Sequence, residues 1–300
     1  MYNGIINIYK EKGFTSHDVV AKMRGILKQK KIGHTGTLDP DAVGVLPVCM
    51  GSATKLCDML TDRDKEYIAG LRLGVTTDTQ DMTGTVLSEQ PVTVTEDEIR
   101  DIIRSFEGEY EQIPPMYSAL KVNGKKLYEL ARKGQEVERK PRPVTIYETE
   151  ILSVELPMIY IRVACSKGTY IRTLCHDIGM KAGCGGAMAS LERTKAGSFL
   201  KETAITLDEL TKLRDADEVS KVLIPVDRMF EELGSVHVQP MFRKLIENGN
   251  CFFLPQIMER RLFSDDEEVR VYDKDGVFFG IYTFEGSEDR FRPKKMFLEN

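Results

Sequence analysis

Apolar positions recur along this chain in two rhythms. Val19, Val20, Met23, Ile26 and Leu27 follow the spacing of one helical face, and Ile99, Ile102, Ile103 and Phe106 repeat it. Thr15-Ser16-His17-Asp18 precedes the first run and Thr95-Glu96-Asp97-Glu98 the second. That order of residues caps a helix through reciprocal side-chain bonds. Thr206-Leu207-Asp208-Glu209 predicts a third capped helix, with Leu210 and Leu213 on one face. Gly108 is expected to stop the second helix, and Lys28, Lys30 and Lys31 to close the first, where cations suit the macrodipole.

Residues 1–10, 67–73 and 159–165 are rich in β-formers and read as strands, the latter two with partial alternation. Helix and strand signals interleave irregularly, with hairpin-like spacings and no regular βαβ repeat. The predicted fold is therefore α+β, on a mixed or antiparallel sheet. A second unit begins near Val236. A short helix over 242–247 ends at Asn248-Gly249, and 269–272, 273–276 and 277–282 read as strand, turn and strand. Residues 1–235 are expected to form one large domain and 236–300 a small, mainly β one.

At 300 residues the chain can bury a large core. It has no apolar run long enough to span a bilayer. No basic segment precedes the apolar N-terminus, so a signal peptide is not expected there. The six cysteines contain no Cys-x-x-Cys pair and no regular spacing. Reduced, mostly buried thiols in a cytoplasmic protein are expected rather than a zinc site or a disulfide framework.

The net charge of −5 disfavours a nucleic-acid partner until its distribution is considered. Residues 1–60 carry eight Lys/Arg against five Asp/Glu, and residues 113–147 carry eight against three. The acidic surplus falls elsewhere, with five against thirteen over 61–112. The basic stretch 113–145 opens on Pro114-Pro115 and interleaves Tyr117 and Tyr128 with its cations. Such a run is either a solvated loop or an RNA-binding insertion.

The run Gly33-His34-Thr35-Gly36-Thr37-Leu38-Asp39-Pro40 is the strongest candidate for chemistry. Its glycines permit close backbone approaches, and Pro40 biases Asp39 toward an extended conformation that aims the carboxylate. On pattern alone this is a turn. With Gly44-Val45-Leu46-Pro47-Val48 after it, the stretch resembles the catalytic signature of the TruB family of tRNA pseudouridine synthases. Four further blocks resemble that family in order. They are Lys65-Glu66-Tyr67 with Thr77-Asp78-Thr79-Gln80-Asp81, the 114–142 stretch with Ser118-Ala119-Leu120-Lys121, Lys167-Gly168-Thr169-Tyr170-Ile171-Arg172, and Leu191-Glu192-Arg193-Thr194.

The resemblance implies an enzyme that converts the T-loop uridine of tRNA, uridine 55, to pseudouridine after flipping it from the stack. Asp39 is implied as the nucleophile. Arg172 is implied as its paired arginine, expected to hold the carboxyl ionised and its pKa low. Tyr67 is implied as the stacking platform and a proton relay, with Tyr170 and Leu191 packed around the nucleoside. His34 is implied to fill or contact the space left by the flipped base. The reaction is redox-neutral, so neither cofactor nor metal is implied. The partner is the tRNA T stem-loop. The basic insertion is implied to embrace RNA, and the C-terminal domain resembles a PUA module. A monomer needing no protein partner is expected. Two rivals stand beside this reading: a guide-RNA-dependent relative, and an RNA-binding or RNA-folding protein without chemistry.

Overall fold

In the computed structural model, residues 1–122 and 124–298 are described. The body is a nine-stranded sheet. Its strands are β1 (Gly4–Lys10), β2 (Ile32–His34), β3 (Val43–Met50), β4 (Lys65–Leu73), β5 (Gly108–Gln112), β6 (Arg142–Glu155), β7 (Met158–Cys165), β8 (Gly186–Ala196) and β9 (Phe199–Leu200). The order is β1-β3-β8-β4-β7-β6-β5, with β2 on β3 and β9 on β8. Every pair is antiparallel except β3–β8, which run parallel over two residue pairs. The sheet is thus mixed, as the irregular alternation of elements predicts.

Helices α1 (Ser16–Leu27), α2 (Glu96–Arg104), α3 (Ile171–Lys181) and α4 (Leu207–Asp215) pack on this sheet. Thr15 with Asp18, Thr95 with Glu98 and Thr206 with Glu209 form complete capping boxes at α1, α2 and α4. A cap of this kind stabilises a helix by about 1 kcal/mol. Two helix ends differ from expectation. Helix α2 stops at Arg104, four residues before Gly108, which instead opens β5 with φ +98°. Helix α1 stops at Leu27, and Lys28 already takes a left-handed φ of 52°. Lys30 and Lys31 therefore lie beyond its last turn.

Two cores cover the body. Tyr67, Ala69 and Leu71 of β4 meet Ile159, Ile161 and Val163 of β7 beneath Ile99 and Ile103 of α2 and Leu174 and Ile178 of α3. Ile6 and Ile8 of β1 meet Leu46 and Val48 of β3 beneath α1 and α4. Helix α3 presses so closely on β8 that a Cβ on Gly179 would come within 2.1 Å of the Gly186 nitrogen. That seating fixes the start of α3, where Arg172 lies.

The basic insertion runs between β5 and β6, whose facing ends pair Gln112 with Arg142. It leaves and re-enters the sheet at one point, so its strands, Lys121–Val122 with Lys125–Lys126, and its short helix Leu127–Ala131 project as an arm. Residues 142–145 belong to strand β6 rather than to this arm.

The C-terminal strands β10 (Gly234–His237), β11 (Phe252–Phe253), β12 (Glu268–Tyr272), β13 (Phe278–Glu285) and β14 (Arg290–Met296) form a separate sheet in the order β10-β12-β13-β14-β11. It has its own core around Phe252, Tyr282 and Phe291. Ile281 and Phe297 nevertheless join Val45, Leu56, Val226 and Phe230 in a cluster shared with the body.

Candidate active site

The loop carrying Asp39 is fastened on both sides. Ser16 Oγ at the start of α1 accepts from the Leu38 amide at 2.9 Å. The Lys10 ammonium, wholly buried, donates to the carbonyls of Phe14 at 2.7 Å, Pro40 at 3.0 Å and Glu11 at 3.1 Å. The residues before and after Asp39 are thereby held by different elements, and the Asp39 carbonyl accepts from Ala42 at 3.1 Å. The aimed carboxylate expected from the Asp-Pro pair owes its rigidity to these tertiary bonds.

Arg172, its side chain 7% exposed, reaches this carboxylate from α3. Its Nε lies 3.0 Å from Asp39 Oδ2 and its Nη2 3.4 Å from Oδ1. The remaining donors go to the Thr79 carbonyl at 3.1 Å and the Tyr117 carbonyl at 2.8 Å. Asp81 Oδ2 stands 3.7 Å from Nη1. Its other oxygen accepts from Thr79 Oγ1 at 2.7 Å, Thr83 Oγ1 at 2.5 Å and the Thr83 amide at 3.0 Å. One guanidinium thus gathers the signature loop, the 77–83 turn and the root of the basic arm.

The expectation for the Asp39 pKa is corrected here. Arg172 does pull it down, but burial pushes harder and the carboxyl ends above the ordinary aspartate value. Asp81, a second carboxylate nearby, adds to the rise. A partly desolvated carboxylate is a less solvated, stronger nucleophile than a fully hydrated one, and with 38% of its side chain open it remains reachable.

Tyr67, Tyr170 and Leu191 gather near the same place, and His34 lies beside the signature loop. Tyr67 and Leu191 share a cluster with Leu38 and Ala42, which flank Asp39. Asp39 acts electrostatically on both the Tyr67 and Tyr170 hydroxyls, and burial raises the pKa of each. Tyr170 immediately precedes α3, and the buried Gln112 side chain holds it twice, accepting from its amide at 2.8 Å and donating to its carbonyl at 3.0 Å. His34 is half-buried and meets His17 edge to face at 5.2 Å. Burial, His17 and Arg193 lower its pKa to about 4, so the ring is neutral at neutral pH.

Sequence reasoning did not single out Lys10, Asp81, Gln112 or Arg193 as site residues. Arg193 lies within the Leu191–Thr194 block, yet among the described residues it is the largest side chain the fold buries fully. A buried cation in a strand has no local pattern, because its partners are carbonyls from distant segments. Among the described residues no cluster of three or more His, Cys, Asp or Glu could hold a metal ion. No described helix is long and apolar enough to cross a membrane. All six cysteines are free thiols, and four of them are buried.

Comparison with known proteins bears on this arrangement. Residues 24–171 match the family model of the TruB family pseudouridylate synthase N-terminal domain, and 172–231 match that of the tRNA pseudouridylate synthase B C-terminal domain. The chain is 53% identical to the tRNA pseudouridine synthase B of Lachnoclostridium phytofermentans, over 99% of this chain and all of that one. It is 47% identical to that of Alkaliphilus oremlandii, over 96% of each. Among solved structures, a chain of a Cbf5-Nop10-Gar1 complex is similar with a TM-score of 0.70 and 29% identity, over 98% of this chain and 85% of that one. So is a chain of an H/ACA ribonucleoprotein bound to a substrate RNA containing 2'-deoxyuridine, with a TM-score of 0.70 and 27% identity over the same shares. A matched body from residue 24 to residue 231, and a relative with more than half of its residues identical, place this chain in the TruB family of pseudouridine synthases.

Proposed function

We propose that this protein isomerises the T-loop uridine of tRNA, uridine 55, to pseudouridine, with Asp39 as nucleophile. The observation that carries the reading is the Asp39–Arg172 pair at 3.0 Å, with Tyr67, Tyr170 and Leu191 around it. Isomerisation breaks the N1–C1′ bond, turns the uracil, forms C5–C1′, removes one proton from C5 and places one on N1. Atoms and electrons balance without a co-reactant. The carboxylate supplies the covalent or charge-stabilising partner while the base is detached.

The base must first leave its stack, which costs a few kcal/mol. Tyr67 and Leu191 offer an apolar seat that offsets this cost, and neutral His34 adds a ring without a charge that would need solvation. The flanking backbone meets the basic arm. Of that arm's cations only Arg139 is paired with a carboxylate among the described residues, to Glu136 at 3.3 Å. Lys126 and Arg132 stand over the Tyr128 ring, each 5.4 Å from its centroid. The C-terminal domain is assigned as a PUA-like module that grips the same RNA; the expected start at residue 236 falls inside its first strand, β10, which begins at Gly234.

The protein is read as a stand-alone monomer rather than a guide-RNA-dependent enzyme. Its full-length identity to proteins named tRNA pseudouridine synthase B, 53% and 47%, far exceeds the 27–29% to chains from H/ACA complexes. The test is direct. An unmodified T stem-loop transcript is incubated with the purified protein alone, and pseudouridine is mapped by chemical probing. A single new pseudouridine at the T-loop uridine supports the reading. None there, or modification only with an added guide RNA, refutes it.

A further inference from the structure

Arg193 has an anomalous environment. It is 1% exposed, and a buried guanidinium is ordinarily paired with a carboxylate, since an unpaired buried charge is strongly destabilising. Among the described residues no carboxylate lies within ion-pair distance of it, and the acidic group facing it is the Tyr67 phenol. Its Nε donates to the Val45 carbonyl at 2.7 Å and its Nη2 approaches the Gly36 carbonyl at 3.4 Å.

The strands on either side of Arg193 fix its place in the sheet. Arg193 is the cross-strand partner of Tyr67 on one side and of Gly44 on the other. The register shifts between Arg193 and Lys195, and a bulge of this kind re-aims a side chain. A Cβ on Gly44 would come within 2.2 Å of the Arg193 carbonyl oxygen, at a φ of +107°. Only glycine fits there. The same charge lowers the proton affinity of His34, Lys10 and Lys65, so it is felt across the floor of the cleft.

We propose that Arg193 is a positioning residue for the isomerisation, holding the Tyr67 hydroxyl toward the bound uracil and stabilising its oxygen while that oxygen carries negative charge. This rests on the pseudouridine reading above, in which one proton leaves C5 and one arrives at N1. The Tyr67 hydroxyl gives its proton to N1 of the detached uracil. Its oxygen, briefly anionic beside Arg193, then takes the proton from C5 once the C5–C1′ bond has formed. The relay ends with Tyr67 as it began.

A simple pin between Val45 and Gly36 would act on the loop, not through Tyr67. A double-mutant cycle separates the two roles. Single-turnover rates on the T stem-loop transcript are measured for the wild type, Arg193→Gln, Tyr67→Phe and the double variant, with RNA affinity recorded for each. The expected result is an Arg193→Gln loss of about 100-fold in rate with little change in affinity, falling to about three-fold or less in the Tyr67→Phe background. Equal losses in both backgrounds, or an Arg193→Gln variant as fast as the wild type, would overturn the proposal. An inactive wild type would instead overturn the functional reading beneath it.

Should Arg193→Gln not fold, Arg193→Lys provides the comparison. A buried lysine loses its proton far more readily than arginine. Its rate should therefore collapse at alkaline pH where the wild type stays active, and an unaltered pH profile would overturn the proposal. His34 reports the charge without any substrate. Its imidazole titration, followed by NMR, should move upward in Arg193→Gln, and an unmoved titration would contradict the electrostatic part of the argument.

Discussion

Arg172 Nη2 donates to the Tyr117 carbonyl at 2.8 Å while standing 3.4 Å from Asp39 Oδ1. The nitrogen that faces the proposed nucleophile therefore also fastens the root of the basic arm. Displacing that root would leave Nη2 with a lost acceptor and the Asp39 pair free to shift, so arm position and carboxylate geometry are coupled through one planar group.

Arginine is needed here for its shape as well as its charge, because the fork serves Asp39, Thr79 and Tyr117 together. Arg172→Lys is expected to lose nearly as much activity as Arg172→Ala, about 100-fold or more in single-turnover rate. Binding of the T stem-loop should weaken much less. A lysine variant within a few-fold of the wild type would show that charge alone suffices.

The sequence and the structure agree most closely where local chemistry decides. The three capping boxes, the strand expected near the start of the chain and the hairpin after Glu268 need only neighbours along the chain. Family motifs point to Asp39, Arg172, Tyr67, Tyr170 and Leu191, and the fold brings them together. Lys10 escaped notice because its partners are three backbone carbonyls, which leave no trace in side-chain identity. The upward Asp39 pKa escaped for a related reason. Pairing with Arg172 could be anticipated from motifs, but the extent of desolvation depends on how Leu38, Tyr67 and Leu191 close around the site.

His34 links the site to acid stability. Its pKa falls from 6.5 to about 4 on folding, so between those values the unfolded chain binds more protons than the folded one. This group's contribution is fully present above about pH 6.5 and is lost as pH falls through 4. His34→Gln should therefore flatten the decline in melting temperature between pH 6.5 and 4.5. An identical decline in both proteins would contradict the placement of a neutral, desolvated imidazole.

RNA binding should be strongly salt-sensitive although the chain carries a net charge of −5. Lys121, Lys125, Lys133 and Lys140 on the arm are exposed. Changing all four to glutamate should lower affinity and reduce the slope of log K against log salt by about 3. An unchanged slope would return the arm to a solvated loop.

The C-terminal domain shares apolar contacts with the body through Ile281 and Phe297. Deleting residues 234–300, which removes the whole C-terminal sheet, uncovers Val226 and Phe230, each of which is buried in the intact chain. The truncated body is expected to fold with a melting temperature lower by about 5 °C or more, and to bind tRNA more weakly at sub-saturating RNA. Unchanged stability would show that the shared cluster contributes little, and unchanged affinity would remove the RNA-gripping role from this domain.

Asp39→Asn isolates the proposed nucleophile from the rest of the site. The amide preserves size and can still meet Arg172, so the fold and RNA affinity should stay close to those of the wild type, whereas the nucleophile is gone. The measurement is chemical mapping of an unmodified tRNA transcript after prolonged incubation with stoichiometric variant, beside the wild type. The wild type is expected to give pseudouridine at the T-loop uridine, and Asp39→Asn none. Pseudouridine at that position from the purified variant would contradict it.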